Sequence, residues 1–372
     1  MTRPLVLALL LAALPAAASA QTFKSSAGDL KVETVVGGLA NPWALAFLPD
    51  GRMLVTERPG RMRIATADGK LGAPLGGVPK VFASGQGGLH DVVPDRGFAQ
   101  NRTIYFCFAE PESGGGRTSL ARATLGDDKL NDVKIIFRQE GPLSSGHHFG
   151  CRIAQAPDNN LFLTMGDHFK DRDDAQKLGN HIGKIVRVAT DGSVPKDNPF
   201  AGRKDARPEI WSIGHRNSQG AAIHPQSGKL WEHEHGAKGG DEVNIPQAGK
   251  NYGWPVISHG VNYDGSPVGS GKSAQAGMEQ PVIYWVPSFA PSGMAVYNAE
   301  LFPAWKGSLL VGALKDQMLV RLSLDGEKVT GEERLLQGLR ERIRDVRAGP
   351  DGAIYLVTDN SAGRVLKVVP VK

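Results

Sequence analysis

The sequence repeats one pattern six times: an apolar strand, a turn rich in Pro, Asp, Asn or Gly, and a second apolar strand. Successive repeats begin roughly 45–75 residues apart, and no segment keeps a helical period of apolar residues for more than about three turns. The 47 glycines and 24 prolines are spread along the chain, as many short turns require. The repeats occupy residues 44–57, 89–109, 152–167, 221–236, 294–314 and 344–359.

Repeats of this length that each form a small antiparallel sheet are typical of β-propellers. We therefore predict an all-β, six-bladed β-propeller with four-stranded antiparallel blades over residues 21–372. A strand at about residues 29–36 should join the last blade and close the ring, which removes an exposed sheet edge. Two polar insertions, residues 168–208 and 237–281, are predicted to be long loops at the channel mouth. A β-helix or a pair of sandwiches would need more regular rungs or a linker, and the sequence has neither.

Residues 1–20 are predicted to be a secretory signal peptide. Arg3 precedes an apolar run from Leu5 to Leu14, and Ala18-Ser19-Ala20 supplies small residues for cleavage. The apolar run is too short to span a bilayer comfortably, and no later segment is apolar enough to do so. The mature protein is expected to be periplasmic or secreted after cleavage near Ala20, without a membrane span.

The charge and the cysteines are consistent with an exported protein. The formal net charge is +5, but Lys and Arg are spread along the chain without a block, which argues against nucleic-acid binding. Cys107 and Cys151 are the only cysteines, and in an oxidising compartment they could pair. Two buried free thiols are the alternative, and the sequence leaves this choice open.

Two adjacent histidines, His147 and His148, stand in a turn before a predicted strand. The same predicted hairpin ends at Asp167, and pairing of residues 152–156 with 161–165 would return this carboxylate to His148. A carboxylate beside an imidazole fixes its tautomer and raises its basicity. The pattern therefore favours a general base at His148.

A zinc site is the competing interpretation of the histidines. Zinc is bound mainly through His, Cys and carboxylate side chains. The sequence has no HExxH or CxxC motif, but His233 and His235 would share one face of a strand and could supply two ligands. The candidate zinc ligands are His147, His148, His168, His181, His233 and His235.

Cations are predicted at the same channel mouth. Arg342 and Arg344 would project from one face of a strand, where their repulsion favours an anion between them. Lys315 lies at the matching end of the preceding repeat, and three converging cations suggest a polycarboxylate or phosphate ligand. A solvated charged face is the alternative. Arg216 and Asn217 add hydrogen-bond donors toward an oxygen-rich ligand.

The glycine-rich loop at residues 234–242 contains several acids. Backbone carbonyls in such a loop can coordinate a hard cation such as Ca²⁺. The loop lacks the DxDxDG calcium pattern, so by itself it indicates a metal site only weakly.

Together these segments resemble the soluble quinoprotein glucose dehydrogenases and aldose sugar dehydrogenases, also called glucose/sorbosone dehydrogenases. The matching motifs extend in order from about residue 38 to the C-terminus; they are SGHHFGCRI, TMGD, IGKIVRVATDGSVPKDNPF, IWSIGHRNSQGAAIHP, EHGAKGGDEVNIPQAGKNYGWP, PSFAPSGM, ALKDQ and ERIRDV. The resemblance implies a six-bladed propeller that binds pyrroloquinoline quinone (PQQ) and Ca²⁺ at the channel mouth. It also implies oxidation of the anomeric carbon of aldose sugars to lactones, with electrons passed to an external acceptor.

The resemblance assigns roles to individual residues. His148 matches the general base, Asp167 matches the acid that orients this histidine and lies beside the sugar, and Arg216 matches the arginine beside the C5 carbonyl oxygen of PQQ. Gln86 matches a residue near the sugar. The positions that match PQQ contacts are Asn217, Ser288, Lys315, Arg342 and Arg344, and the backbone carbonyls of Gly236 and Ala237 match the calcium ligands.

The sequence also departs from the family pattern. Ala237 stands where the glucose dehydrogenases have proline, Ser288 replaces a threonine, and His147 replaces a small polar or acidic residue. The loops after Asp167 are shorter, so glucose specificity and the same dimer do not follow from the resemblance. A monomer or weak dimer is expected.

Two other functions stay open at this point. A calcium-dependent propeller lactonase or hydrolase would need acids and amides around the channel axis, and it leaves the three cations unexplained. A non-catalytic ligand-binding propeller would need no base at His148.

Overall fold

The computed structural model describes residues 21–143 and 145–371, so the predicted signal peptide at residues 1–20 lies outside the described residues. The described chain is a six-bladed β-propeller, as the repeat pattern predicts. Two strands come before the first blade, β1 (Gln21–Phe23) and β2 (Leu30–Leu39). Three short helical segments, Phe98–Asn101, Arg172–Gln176 and Pro303–Trp305, lie between strands.

The blades follow one another along the chain, each as an antiparallel sheet. Blade 1 contains β3 (Pro42–Phe47), β4 (Met53–Glu57), β5 (Arg61–Ala65) and β6 (Leu71–Pro74). Blade 2 contains β7 (Leu89–Pro94), β8 (Thr103–Glu112), β9 (Gly115–Leu125) and β10 (Leu130–Arg138). Blade 3 contains β11 (Ile153–Gln155), β12 (Leu161–Thr164), β13 (Lys184–Val188) and β14 (Ile210–Ile213).

The second half of the ring repeats this arrangement. Blade 4 contains β15 (Ser218–Ile223), β16 (Leu230–Glu234), β17 (Asp241–Asn244) and β18 (Ile283–Trp285). Blade 5 contains β19 (Pro291–Val296), β20 (Leu309–Ala313), β21 (Leu319–Asp325) and β22 (Lys328–Leu335). Blade 6 contains β23 (Ile343–Ala348), β24 (Ile354–Thr358) and β25 (Gly363–Pro370), together with β2 and β1.

Each of the six sequence repeats forms the first two strands of a blade. The first strands of successive blades contact one another around the whole ring, from β3 and β7 to β23 and β3. These strands therefore lie nearest the channel. Residues just before a first strand, or just after a second strand, are brought to one face of the ring.

The N-terminal strand closes the ring as predicted. β2 pairs antiparallel with β25, from Leu30 opposite Pro370 to Leu39 opposite Gly363. The prediction of four-stranded antiparallel blades is confirmed. In blade 6, β1 also pairs with the outer side of β2 and adds a fifth strand.

The two predicted insertions are only partly loops. Lys184–Val188 forms the third strand of blade 3, and Asp241–Asn244 forms the third strand of blade 4. Both strands are short and lie within polar, glycine-rich sequence, although the Ile and Val residues of Lys184–Val188 are themselves typical of a strand. The segment from residue 245 to residue 282 contains no strand among the described residues and covers one side of the channel mouth.

Apolar side chains fill the spaces between neighbouring blades. Five of these interfaces are rich in Leu, Val, Ile and Phe, for example Leu54, Leu89 and Phe106 between blades 1 and 2. The interface between blades 3 and 4 is different: its cluster is small and includes three alanines, Ala154, Ala156 and Ala221. Polar residues occupy much of the remaining space there.

Cys107 and Cys151 form a disulfide, with Cα atoms 5.9 Å apart. Cys107 lies on β8 of blade 2, and Cys151 precedes the first strand of blade 3. The bond settles the choice that the sequence left open, and it links two blades close to His148.

Candidate active site

The hairpin of β11 and β12 brings His148 and Asp167 together, as the sequence pattern predicts. Ile153 pairs with Leu163, so the residues that follow β12 lie beside the residues that precede β11. Asp167 follows β12, and His148 precedes β11. His148 Nδ1 lies 2.6 Å from Asp167 Oδ1, and both side chains are buried. Asp167 Oδ2 accepts a hydrogen bond of 2.8 Å from the indole N–H of Trp254. The carboxylate is thus held on both oxygens.

Burial and nearby charge set the protonation state of this pair. Burial lowers the pKa of His148, the positive charge of Arg216 lowers it further, and the hydrogen bond to Asp167 opposes both effects. The net pKa is below the usual value, so the imidazole is neutral at neutral pH. Burial alone would raise the pKa of Asp167, but the hydrogen bond from His148 holds it below its usual value. With Nδ1 facing Asp167, Nε2 of His148 can accept a proton.

The backbone around the pair is held in the left-handed region at bulky residues. His148 has a φ of +52°, and His168 and Phe169 have φ values of +51° and +65°. Such angles are costly for residues other than glycine and concentrate at functional sites. The N–H of Phe169 donates to Asp167 Oδ1 at 2.8 Å, which stabilises this turn.

Gln86 and Asn217 extend the polar wall beside His148. Gln86 Oε1 accepts the backbone N–H of His148 at 2.8 Å. Asn217 Oδ1 accepts the backbone N–H of Gly150 at 3.2 Å and the amide of Gln219 at 3.1 Å. Gln86 therefore contacts the backbone of His148, and Asn217 contacts the backbone of Gly150, two residues further along the chain.

Arg216 lies between His148 and the glycine-rich loop. Its Nη1 donates to the carbonyl of His235 at 3.0 Å and to that of Gly236 at 2.5 Å. Its guanidinium lies 5.2 Å from the centroid of the Trp254 ring. The structure thus brings the predicted arginine onto the same carbonyl that the resemblance assigns to calcium. A carbonyl oxygen has two lone pairs, so one can accept an N–H while the other binds a cation.

Asp241 fixes the loop that carries Gly236 and Ala237. Its Oδ1 accepts the N–H of Gly236 at 2.9 Å, and its Oδ2 accepts the backbone N–H groups of Phe289 and Ala290 at 3.0 Å and 3.2 Å. Sequence reasoning did not single out this aspartate, although it lies inside the acidic, glycine-rich motif.

The three predicted cations lie at the same face of the propeller, and the carboxylate of Asp359 lies beside two of them. Arg342 and Arg344 both donate to Asp359 Oδ2, at 2.9 Å and 3.3 Å. Lys315 Nζ donates to the carbonyl of Ser288 at 2.8 Å. Asp359 thus supplies one anion beside the two arginines, and Nε of Arg344 has no hydrogen-bond partner among the described residues. Asp359 follows the second strand of blade 6 directly, and this position was the signal that could have found it.

Three adjoining cavities open among these residues. The first, of about 380 Å³, is lined by Gln86, Asn217, Arg342, Arg344, Asp359, Trp43, Phe149 and other residues. The second, of about 680 Å³, includes Gly236, Ala237, Ser288 and Lys315 and shares His235 and Ala290 with the first. The third, of about 510 Å³, is lined by Asp167, Arg216, Ala237, Phe169, Trp254, Tyr263 and neighbouring polar residues. Cations, amides and flat rings at one mouth suit a planar polyanion.

Two donors at this mouth support that fit. Among the described residues, Nε of Arg344 and Nε of Arg216 are buried without a hydrogen-bond partner. Buried donors are normally satisfied, and an acceptor-rich ligand would satisfy them. The backbone carbonyls of Gly236 and Ala237 border the same space and suit a hard cation.

The histidines do not form the alternative zinc site. His147 is exposed, His148 pairs with Asp167, and His235 Nε2 donates to the carbonyl of Pro291 at 2.6 Å. Within the described ranges, one group of at least three His, Cys, Asp or Glu side chains has metal-like spacing, and it consists of His215, Glu232 and Glu234. None of the six histidines named as zinc candidates belongs to it, so that interpretation is wrong for those residues.

Comparison with known proteins gives consistent matches over nearly the whole described chain. The sequence profile of the family described as Glucose / Sorbosone dehydrogenase matches residues 39–367. The aldose sugar dehydrogenase YliI of Escherichia coli (strain K12) is 48% identical over 346 residues, covering 92% of this chain and 93% of that protein. Quinoprotein glucose dehydrogenase B of Acinetobacter calcoaceticus is 28% identical over 430 residues, covering 93% and 89%.

Solved structures of sugar dehydrogenases also superpose on this chain. The apo form of the soluble aldose sugar dehydrogenase from Escherichia coli superposes with a TM-score of 0.88 at 47% identity, covering 92% of this chain and 100% of that structure. The PQQ-bound form of an aldose sugar dehydrogenase from Streptomyces coelicolor superposes with a TM-score of 0.77 at 28% identity, covering 91% and 98%.

Proposed function

This chain belongs to the glucose/sorbosone dehydrogenase family, and from that premise we propose that it is a PQQ- and Ca²⁺-dependent dehydrogenase that oxidises aldose sugars at the anomeric carbon to lactones. The broader assignment, a sugar dehydrogenase, follows from the relatives that match most of its length. The observation that carries the finer proposal is the buried His148–Asp167 pair beside a mouth rich in cations.

His148 acts as the general base. Its neutral imidazole holds Nδ1 against Asp167 and leaves Nε2 to take the proton of the anomeric hydroxyl. Asp167 keeps the ring in one tautomer and stabilises the imidazolium that forms. Gln86 fixes the backbone of the base through its N–H and lines the adjoining cavity, where a sugar hydroxyl could reach its amide.

PQQ, when bound, supplies the quinone that accepts the hydride leaving C1. Arg216 is the residue that would stabilise the negative charge arising on the quinone oxygen, because its guanidinium lies between the base and the glycine-rich loop. The side chains of Lys315, Arg342 and Arg344 would hold the carboxylates of PQQ, and Asn217 and Ser288 would add hydrogen bonds.

Calcium would be held by the carbonyls of Gly236 and Ala237, where Asp241 already fixes the loop. The alanine costs little relative to proline because the ligand is a main-chain oxygen. Arg216 would then share or give up its hydrogen bond to Gly236 in favour of the cofactor.

Export is part of the proposal. The expected cleavage near Ala20 would release the mature protein to the periplasm or the medium, where an external acceptor takes the electrons. Within residues 21–143 and 145–371, no helix has the length and apolar character needed to cross a membrane. Amino-terminal sequencing of the exported protein tests the cleavage site.

Reconstitution tests the proposed activity. The purified protein is incubated with PQQ and Ca²⁺, and a panel of aldoses is tested with a dye acceptor. We expect dye reduction that depends on PQQ, on Ca²⁺ and on the sugar. His148→Ala should abolish turnover while retaining the spectral change of bound PQQ. Absence of both turnover with every aldose and a PQQ spectral change would refute the proposal, and lactone hydrolysis without PQQ would favour a hydrolase.

A further inference from the structure

A buried polar cluster lies between blades 3 and 4, where the apolar packing is weakest. Glu232 and Glu234 alternate on β16 and so project from the same face of the strand. His215 lies in the connection between β14 and β15 and reaches the same space. The exposed fractions of His215, Glu232 and Glu234 are 0%, 0% and 4%.

The spacing of the three side chains resembles that of metal ligands. His215 Nδ1 lies 3.7 Å from Glu232 Oε1 and 3.5 Å from Glu234 Oε1. One ligand atom from each of the three residues lies within 4.8 Å of the others. Ligands bound about 2.0–2.2 Å from a tetrahedral metal are roughly 3.3–3.6 Å apart, so small side-chain rotations would complete the site.

Several polar atoms in this cluster lack partners. Among the described residues, His215 Nδ1, Glu232 Oε2 and Asn244 Oδ1 are buried without a hydrogen bond. Buried polar groups are normally satisfied, because an unpaired one costs desolvation energy. Three orphaned atoms in one place therefore need a common partner.

The cluster also lacks a compensating Lys or Arg. Across the described chain, the ion pairs found for Glu232 and Glu234 are with His215 alone. The nearest arginine along the chain, Arg216, directs its guanidinium to the carbonyls of His235 and Gly236 instead. Buried carboxylates are stable when they are paired or coordinate a metal.

We propose that His215, Glu232 and Glu234 bind a divalent transition-metal ion, Zn²⁺ or a similar borderline cation. This site is separate from the calcium site expected at Gly236 and Ala237. An imidazole nitrogen beside two carboxylates suits such an ion, whereas Ca²⁺ prefers oxygen ligands only. Asn244 Oδ1 is the available fourth ligand.

The surroundings orient these ligands as the residues around a metal site usually do. Ser212 Oγ lies 2.8 Å from His215 Nε2, which leaves Nδ1 directed at the cluster. The amide of Asn244 donates to Glu232 Oε1 at 2.9 Å. These contacts fix both the ring and one carboxylate.

The bound ion would support the candidate active site through Glu234. Glu234 Oε2 accepts the backbone N–H of Arg216 and, at 3.3 Å, that of Asn217. A metal on the other oxygen would lock this carboxylate and so position two residues at the channel mouth. Metal binding by His215, Glu232 and Glu234 does not require PQQ, so it can be measured separately from PQQ chemistry.

Metal binding to tag-free, PQQ-free protein tests the proposal. The protein is stripped with EDTA, titrated with Zn²⁺ in excess Ca²⁺, and measured by elemental analysis after dialysis. We expect one equivalent of zinc that calcium does not displace, together with a higher Tm. Glu232→Gln should weaken zinc binding at least tenfold and abolish the rise in Tm. Glu57→Gln, which changes a buried glutamate in blade 1, should leave zinc binding unchanged.

Anomalous diffraction at the zinc edge gives a test that does not depend on a variant folding. The zinc-loaded parent protein should show one peak among His215, Glu232 and Glu234. A peak elsewhere, less than about a tenth of an equivalent of bound zinc, or undiminished binding by a folded Glu232→Gln protein would overturn the proposal.

Discussion

At His148, burial and hydrogen bonding act on the imidazole in opposite directions. Burial and Arg216 lower its pKa, while the hydrogen bond to Asp167 raises it. The ring is therefore kept neutral at the working pH without losing all of its basicity. Trp254 and the turn at Phe169 hold the carboxylate so that this balance is fixed by packing.

Asp167→Asn tests this balance at the single residue. The amide keeps a hydrogen-bond acceptor but removes the negative charge that raises the pKa of His148. We expect kcat to fall by roughly 100-fold or more, and the acid limb of the pH profile to move to lower pH. Steady-state kinetics between pH 5 and 8 would measure both. A kcat and pH profile equal to those of the parent would show that Asp167 does not act on the base.

The side chain of Lys315 is more than half exposed, so its ammonium group can contact an anionic ligand. Lys315→Ala should weaken PQQ binding by about tenfold, with a larger effect at low salt, because a charge-assisted contact is lost from a partly solvated position. Titration of the apoprotein with PQQ, followed by absorbance, measures this change. Lys306→Ala is the matched control, because Lys306 lies in the β19–β20 connection at the opposite face and pairs with Glu300. Equal affinity in both variants would remove Lys315 from the PQQ site.

The sequence allowed the principal site residues to be predicted but missed those that support them. His148 and Asp167 were predictable because one hairpin joins them. Asp359 could have been found from its position directly after the second strand of blade 6. Trp254 and Asp241 could not, since each reaches the site through a contact distant in sequence. A carboxylate or an indole in a polar loop has no local feature that reveals its distant partner.

At the scale of elements, the disulfide joins the second strand of blade 2 to the segment that carries His148. Cys151 follows His148 by three residues and has a φ of +77°. The bond therefore anchors a strained turn to the buried part of β8, where Cys107 is fully buried. The same strand, β8, pairs along its whole length with β9, which gives the anchor a rigid base.

Replacing Cys107 and Cys151 together by alanine should lower the free energy of unfolding. The two cysteines are 44 residues apart, and opening a loop of this length gives the unfolded chain entropy worth about 4 kcal/mol at 25 °C. Urea unfolding of the oxidised parent and the double variant measures the difference. The parent treated with reductant should approach the variant. A loss below about 1 kcal/mol would mean that native contacts, rather than the cross-link, hold the two blades.

The strand pairs nearest the channel were predictable because each combines an apolar run, a turn and a second apolar run. The outer strands were harder to predict. Lys184–Val188 and Asp241–Asn244 are short and lie in polar sequence, and β1 has only three residues. Their place is set by pairing with a neighbouring strand rather than by a pattern of their own.

At the scale of the whole molecule, the propeller buries several histidines besides His148. Burial lowers the pKa of His90 to about 3, and it also lowers the pKa of His233 to about 3. Burial acts in the opposite direction on Glu232, Glu242 and Asp241, whose pKa values are raised. A fall in pH therefore changes the stability through both the buried histidines and the buried carboxyl groups.

We expect the protein to lose stability as the pH falls below about 6.5. The histidines of the unfolded chain bind protons in this range, whereas the buried imidazoles of His90 and His233 stay neutral. The loss begins at the unfolded pKa and continues down to the folded pKa near 3. For His90 and His233 together it amounts to about 3 kcal/mol between pH 7.5 and pH 5.5, offset in part by the three carboxyl groups. Urea unfolding at the two pH values measures the total.

His233→Leu separates the contribution of one ring. Within the described chain, His233 is fully buried and neither ring nitrogen has a hydrogen-bond partner, so leucine removes the titration without orphaning a donor. The variant should lose about 1.4 kcal/mol less than the parent between pH 7.5 and pH 5.5. If its unfolding free energy changes with pH as steeply as that of the parent, His233 is not excluded from protonation. Acid sensitivity would then have to come from other titrating groups, such as His90.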